Sequence, residues 1–535
     1  MSSLNKQHKI YDVIVIGGGH NGLIAAGYLA KAGRTVLLLE KRKVVGGAAI
    51  TEEFYSGFKF SSLAGGSGHL APDVVADLNL SQYGFQILPT DPLILSLLPG
   101  GNHLTIWHDV NRTIQEISKF SQADAEAYPN FIQWMRKISR IVAEMNNIIP
   151  PDLPEVGLNN LKELYGFVNP VRGLGWKHIA QLVRILPMSI SDLLDEWFQS
   201  DIVKGAIAAS AIIYSSLGPQ EINSTAYTFL HNWSISNTDL FRSSGQVKGG
   251  MGTLTQALAM AAKSLGADIR TNAKVIRINI QDEKAVGVTL ANGDLISAKV
   301  VISATDARTT FLNLVDPYYL DPKFIRHVNN IKYQGTMARV HFALDTLSKF
   351  SGLNERTEQL LSGHIQIAPT VTYIQKAYDP IKYGSYSKQP YLDIQIPTLS
   401  DSSLAPEGNH TMSVTVKYMP YKLSEGHWDE LRETIGQLVI NTLSEYAPDF
   451  DRSIRHYKVI TPLDMEQVYN LPEGNPSHGE MTMNQFMWMR PIPGYAQYSA
   501  PIDGLYLCSA ATHPGGGVTG IGGRNASRQI LKNLK

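Results

Sequence analysis

The sequence predicts an α/β protein: a parallel-sheet domain of Rossmann type built from three separated stretches, with an α+β second domain threaded between them. Three observations carry this. Tyr11 to Ala48 reads as strand, glycine turn, helix and second strand. Gly504 to Ser527 repeats the strand–glycine turn–helix order at the other end of the chain. Gly245 to Ala307 has the same texture, and the long stretches on either side of it carry no nucleotide signature. The expected division is residues 1–80, 245–310 and 492–535 in the first domain, and 81–244 with 311–491 in the second. A chain of 535 residues is too long for one average domain.

In the opening stretch, Val13-Ile14-Val15-Ile16 is β-branched, apolar and short enough to be one buried parallel strand. Gly17, Gly19 and Gly22 then fill the G-x-G-x-x-G positions, which serve a tight turn, close approach to a pyrophosphate and close helix–strand packing. Leu23 to Ala32 reads as a helix whose N-terminus points bare N–H groups at phosphates. A second strand, Thr35 to Leu39, ends at Glu40, 18 residues past Gly22. The acid that accepts ribose hydroxyls is expected about 20 residues on. A merely tight turn would leave Glu40 unexplained, so this is read as a dinucleotide site. Val13 to Ala30 is long enough to span a membrane, but its glycines, His20 and Asn21 argue for strand, turn and helix. Gly46-Gly47 follows Glu40 after five residues, and this E-x5-G-G extension resembles the two-dinucleotide-binding-domain flavoproteins. The resemblance implies FAD, with Gly17, Gly19, His20, Asn21, Gly22, Glu40, Lys41, Gly46, Gly47 and Ala48 around it.

Composition narrows the class. Net charge is zero and the isoelectric point is near 7.3, which gives no electrostatic case for nucleic acid. Charged residues are 18% of the chain, against roughly 25% in ordinary soluble domains. That deficit suits a large apolar cavity, a membrane-facing patch or an oligomer interface. Cys508 is the single cysteine, so no intramolecular disulfide or CxxC pair can form, and its place at the end of an apolar strand favours a buried structural role. The N-terminus shows no secretory signal. A cytoplasmic or organelle-matrix protein is expected, with a peripheral membrane contact left open.

Further along, the small residues of Gly57 to Gly68 would let a flat cofactor lie against backbone, or form a surface loop. Helices are expected over Pro129 to Met145 (with proline at the first position), Trp176 to Arg184, Ile190 to Phe198 and Ser200 to Ile213. Tyr165 to Pro187 mixes aromatic, aliphatic and basic residues as an interfacial helix does, although a core-facing helix is favoured. Leu254 to Leu265 reads as a helix; Ala273 to Ile280, Ala285 to Leu290, Leu295 to Lys299 and Val300 to Ala304 read as strands. In the resembling flavoproteins the first of these passes the adenine, which places Val275 there. Ala304-Thr305-Asp306 resembles their Ala-Thr-Gly fingerprint, with Asp306 departing from it. Met337 to Leu344, His364 to Ala368, Tyr391 to Ile396 and Met412 to Tyr418 suggest a mixed sheet flooring a substrate cavity. A strand over Thr336 to Leu344 puts Arg339 and His341 on one face. Amine oxidases hold a water near the flavin with a lysine on a comparable strand; here the residue would be Arg339. The closing glycine turn brings backbone N–H groups to the flavin end, with Ala511, Gly517, Val518 and Thr519 in contact and His513 beside them.

Taken together, VIGGGHNGLIAAGYLAKAG…LEKRKVVGGAA and GLYLCSAATHPGGGVTGIGGRNAS resemble the phytoene desaturase family of FAD oxidoreductases. Within it the chain is most similar to the branch of pyridine nucleotide-disulfide oxidoreductase domain-containing protein 2 and the carotenoid ketolase-like enzymes. TEEFYSGFKFS, KGGMGTLTQALA and HGEMTMNQFMWMRPIPGY extend the likeness. It implies a glutathione-reductase-like FAD domain with a discontinuous substrate domain. The desaturases usually have Gly-Gly-Arg after the acid, whereas this chain has Gly46-Gly47-Ala48.

The leading functional reading is an FAD-dependent oxidoreductase taking hydride from a hydrophobic, isoprenoid or lipid-like small molecule. An amine or polyamine oxidase is the alternative; it calls for an aromatic pair over the flavin, for which Trp488, Phe486 and Tyr495 are candidates, and for a lysine that the sequence does not reveal. The third reading is an FAD-containing binding or assembly protein without turnover. No H-x3-H pairing falls on a predicted helix, so no metal is expected. Arg339, His341 and His513 are weak catalytic candidates, and the sequence leaves the substrate, the electron acceptor (oxygen or a quinone) and the oligomeric state open.

Overall fold

The computed structural model describes residues 10–65, 70–151, 176–222, 224–353 and 357–534. Its first sheet has seven strands: β1 (Tyr11–Ile16), β2 (Val36–Leu39), β3 (Asp268–Arg270), β4 (Val275–Gln281), β5 (Lys284–Leu290), β6 (Leu295–Ser303) and β7 (Leu505–Leu507). The parallel part runs β7-β6-β1-β2-β3, with Val13 opposite both Val300 and Val36. β4, β5 and the first half of β6 form an antiparallel meander on the same sheet. Leu295 to Ser303 is thus one strand where the sequence suggested two. Its early residues pair with β5 and its later ones with β1 and β7, and no turn residue interrupts it. Helices α1 (His20–Lys31), α2 (Met251–Ser264) and α3 (Ile521–Asn533) pack together on the core of this sheet, burying Leu23, Ala26, Leu258 and Ala526 completely.

The second sheet also has seven strands, in the order Ile454–Ile460, Met337–Leu344, His410–Lys417, Leu392–Gln395, His364–Ile367, Ile94–Leu97, His103–Ile106. One pair, His364–Ile367 with Ile94–Leu97, is parallel and the rest are antiparallel. A helical layer covers it around Phe131, Met135, Phe198, Phe229 and Trp233. Its longest helix spans Gln122–Asn147 rather than starting at Pro129, because Ser121 caps it by accepting from Asp124 N at 3.1 Å. Pro129 therefore sits inside the helix and deletes one backbone bond, a loss offset by the burial of Phe131, Ile132, Met135 and Ile138. Two expected helices are shorter than foreseen, Ile190–Asp195 and Asp201–Ala208.

The stretch read as an interfacial helix lies partly outside the described residues. Its described part, Trp176–Ile185, buries Leu182 and Ile185 in the helical layer while Trp176 is 81% and Val183 64% exposed. Gly57 to Gly65 contributes strand and turn, and Gly66 to Gly68 lie outside the described residues. Among the described residues no helix is long and apolar enough to cross a membrane.

Candidate active site

A cavity of about 500 Å³, within the usual 300–1,000 Å³ of a ligand site, opens at the C-terminal ends of β1, β2 and β6. This is the switch-point position where doubly wound sheets hold ligands. Its walls include Gly17, Gly19, His20, Asn21, Gly22, Glu40, Lys41, Gly47, Ala48, Val275 and Ala304. Local chemistry explains the shape. A Cβ on Gly22 would stand 2.2 Å from the Gly17 carbonyl oxygen, so only glycine lets α1 start so close to β1. A Cβ on Gly19 would meet nothing within 4 Å, so the backbone there faces open space. No side chain caps α1, and its first N–H groups stay available for an anion. Glu40 accepts from Gly18 N at 2.8 Å and Arg42 N at 2.9 Å, which fixes its carboxylate at the cavity wall. These features fit a dinucleotide.

Gly46 serves differently from Gly47: it donates to the Gly18 carbonyl at 2.8 Å and ties the second glycine pair to the first, without lining the cavity. Ala511 and Thr519 likewise stand behind the walls, whereas their neighbours Ala510 and Val518 line them. Asp306, the departure from the glycine fingerprint, has a job of its own. Its Oδ1 accepts from Thr309 N at 2.8 Å and from the Tyr333 hydroxyl at 3.2 Å, capping the next helical turn. Ala304 and Thr305 still reach the cavity. Sequence reading missed Arg42, Tyr469, Asn470 and His478, all in the wall. Asn470 accepts from Lys41 Nζ at 2.9 Å. Burial, with the neighbouring His478, pulls the His20 imidazole down to about 4, so it is neutral at physiological pH.

A second cavity, of about 140 Å³, shares His20, Ala48, Pro476 and Ala510 with the first and also touches Gly517 and Val518. Its far wall belongs to the second sheet and carries Arg339, His364, Asp393 and Lys417, with Arg242 arriving from the segment that follows the helix Thr225–Ser234. Arg242 Nη2 donates to Asp393 Oδ2 at 2.6 Å and stands 2.7 Å from His364 Nδ1, while Gln395 Nε2 stands 3.3 Å from His364 Nε2. Burial opposes charge on Asp393, but Arg242 and the other partners hold its carboxyl well below the usual range. Arg339 donates to Thr415 Oγ1 at 2.9 Å across the strand pair, and burial lowers it to about 10. Lys417 donates to the Ser215 carbonyl at 2.8 Å, and burial alone lowers it to about 7.

The catalytic candidates separate here. Arg339 reaches the cavity. His341 lines neither cavity: it lies between Phe54 and Phe60, with Nε2 3.0 Å from the Ser62 carbonyl and Nδ1 2.8 Å from Ser413 Oγ. His513 also lies behind the walls, its Nε2 donating to the Met145 carbonyl at 3.0 Å. Trp488, Phe486 and Tyr495 line neither cavity, and Phe486 packs edge-on against Tyr227 instead. The aromatic walls are Tyr214, Phe241 and Tyr391, which no local signal marked. Cys508 is fully buried and its thiol is pushed far up, as a structural cysteine's is.

Residues 191–531 match the family described as flavin containing amine oxidoreductase, and residues 15–73 match the NAD(P)-binding Rossmann-like domain. A Rattus norvegicus protein, pyridine nucleotide-disulfide oxidoreductase domain-containing protein 2, is 33% identical over 98% of this chain and 94% of its own length. A lycopene-forming phytoene desaturase from Pantoea ananas is 24% identical over 95% of this chain and 96% of its own. Among solved structures, wild-type putrescine oxidase bound to putrescine superposes with a TM-score of 0.60 at 16% identity, covering 98% of this chain and 99% of that one. That likeness shows the shared fold. The chain belongs to the flavin containing amine oxidoreductase family and is an FAD-dependent oxidoreductase.

Proposed function

We propose that this enzyme oxidises a hydrophobic small molecule held in the second cavity, against the flavin end of FAD. The observation that carries the reading is the junction of the two cavities at His20, Ala48, Pro476 and Ala510, which puts a largely apolar pocket at one end of the dinucleotide site. The similarity to a lycopene-forming phytoene desaturase supports it. Gly17, Gly19, Asn21 and Gly22 would hold the diphosphate with the N-terminus of α1, Glu40 the ribose, Val275 the adenine end, and Gly517 and Val518 the flavin end. FAD, when bound, supplies the acceptor for a hydride equivalent from a substrate C–H bond. The chain's own part is positional: Leu63, Ile213, Phe241 and Met337 exclude water, and the polar wall orients the reacting end.

An amine substrate is the second reading, and the buried Lys417 supplies the lysine that the sequence alone did not reveal. Electrostatics weigh against it. A protonated amine would enter beside Arg339 and Arg242 with Asp393 as the only carboxylate among the described lining residues. An anaerobic absorbance titration of the holoprotein with lipid extract and with a set of amines tests the choice. Bleaching by the extract alone supports the proposal, bleaching by amines alone replaces it, and a flavin that neither reduces points to a protein without turnover.

A further inference from the structure

The wall opposite the dinucleotide site carries more positive charge than its neighbours neutralise. Arg242 is paired with Asp393, but among the described residues Arg339 has no carboxylate within hydrogen-bond reach: it donates to a neutral threonine, its Nε has no hydrogen-bond partner, and Asp393 acts on it only at longer range. Among the described residues Lys417 donates to the Ser215 carbonyl and, at 3.5 Å, to Thr336 Oγ1, and its amine lies 5.8 Å from the centre of the Tyr418 ring. Burial first, and then the adjoining Arg242, lower the proton affinity of His364 against the pull of Asp393. Arg339, Arg242 and Lys417 are each no more than 5% exposed, and all line the same small cavity. Two guanidiniums and an amine thus face one carboxylate away from bulk water. A buried cation without a counter-charge is costly, and the cost is removed when a ligand brings the missing anion. Planar guanidinium groups suit a carboxylate in particular.

The geometry points to a carboxylate on the substrate: a hydrophobic molecule bearing one carboxylate that Arg339 binds directly, with Lys417 and the outer face of Arg242 supporting it. This rests on the proposed oxidation of a hydrophobic molecule in the second cavity and adds the polar group that would orient it. The apolar lining, Leu63, Ile213, Phe241 and Met337, would take the chain next to the carboxylate. A neutral hydrocarbon of the same length would leave Arg339 unpaired, and an amine would add a cation to a cationic wall.

The test is a titration of the FAD-loaded full-length protein, followed by perturbation of the flavin absorbance, with octanoate, methyl octanoate, octan-1-ol and octylamine. Octanoate is expected to bind at least ten times more tightly than the ester or the alcohol. Arg339→Met should weaken octanoate by roughly 10- to 100-fold, as expected for the loss of a charged hydrogen bond, and leave the alcohol unchanged. Arg339→Lys should fall between the two. Should Arg339→Met fail to fold, the wild-type preference for the acid over its own ester still decides. Equal affinity for acid, ester and alcohol would overturn the inference. So would an Arg339→Met protein that holds octanoate as well as wild type but has a lowered flavin potential, since Arg339 would then serve the flavin. Octanoate binding by a protein whose flavin no hydrophobic donor reduces would keep the anion site and remove the oxidation reading. Ready reduction by neutral hydrocarbons without preference for the acid would keep the oxidation reading and remove the anion site.

Discussion

The two cavities meet at four residues yet are built by opposite means. The larger is framed by short runs of chain, Gly17 to Gly22, Glu40 to Ala48 and Ala304-Thr305, with glycine backbone facing its open space at Gly19. The smaller draws on side chains from distant places: Arg339, His364, Asp393 and Lys417, gathered by one sheet, and Arg242 from the segment after the helix Thr225–Ser234. The first carries Glu40, whose carboxylate is held by backbone N–H groups, beside Lys41 and Arg42 at its rim; the second holds ionic groups away from water. A backbone site fails when a single atom is added, whereas a side-chain site fails when a charge is removed. Each half of that contrast can be broken separately.

The largest effect on function, loss of the cofactor, belongs to the backbone site. Gly22→Ala would place a methyl carbon 2.2 Å from the Gly17 carbonyl oxygen and 3.0 Å from the Ala304 side chain, with rigid backbone on one side. The purified variant should contain no flavin, or need at least about 100-fold more FAD to saturate, equivalent to roughly 3 kcal/mol. Normal flavin content would show that α1 can back away from β1 at little cost. Comparable in size, but on stability rather than on cofactor content, is Asp393→Asn, which leaves Arg242 buried without its counter-charge. A loss on the order of 3–5 kcal/mol in urea unfolding is expected. A loss below about 1 kcal/mol would mean that the ion pair does not organise the second cavity.

How far each cavity can be read from the sequence follows from the same contrast. The strand, glycine turn, helix and acid of the first are consecutive, so spacing alone places Gly17, Gly19, Gly22 and Glu40 together. Tyr469, Asn470 and His478 reach that wall from more than 400 residues away, and no spacing announces them. The second cavity is harder still. Period-two alternation put Arg339 and His341 on one face, but it could not tell that Ser62 and Ser413 occupy His341 while only Arg339 meets the cavity. Lys417 lay at the end of a predicted strand and passed unnoticed, because burial of its amine depends on Thr336 and Ser215. Asp306 read as a defect in a glycine fingerprint, because the Thr309 and Tyr333 groups that it accepts from are not visible as a motif.

Lys417 gives a smaller effect with a definite sign. Burial lowers it from 10.5 to about 7 in the folded protein, so between those values the unfolded chain holds a proton that the folded one lacks. Stability should therefore rise with pH through that window, by about 1.4 kcal/mol per unit from this group, and be flat with respect to it below pH 7. Lys417→Met removes the titration. Denaturant midpoints taken from pH 7 to 9 should climb less steeply in the variant, which should also be the more stable protein at pH 7. Parallel curves would show that the amine keeps an ordinary affinity for its proton, and that the second cavity is wetter than its walls suggest. A bound carboxylate should reduce the difference, since it stabilises the charged amine.

The smallest effect separates a wall residue from one that stands behind it. Asp306 occupies the place of a fingerprint glycine, yet its carboxylate faces Thr309 N and the Tyr333 hydroxyl, and it does not line the cavity. Asp306→Ala should cost roughly 1–2 kcal/mol of stability, the usual worth of a helix cap, and more if the Tyr333 hydroxyl is left unsatisfied. FAD affinity should change by less than about threefold, because Ala304 and Thr305 keep their positions through the Ala304 N bond to the Ile16 carbonyl. Asp306→Gly, which restores the fingerprint, should lose the same cap and gain nothing in affinity. If the glycine instead tightened FAD, the carboxylate would be holding the backbone back from the cofactor, and the division between backbone site and side-chain site would fail at this residue.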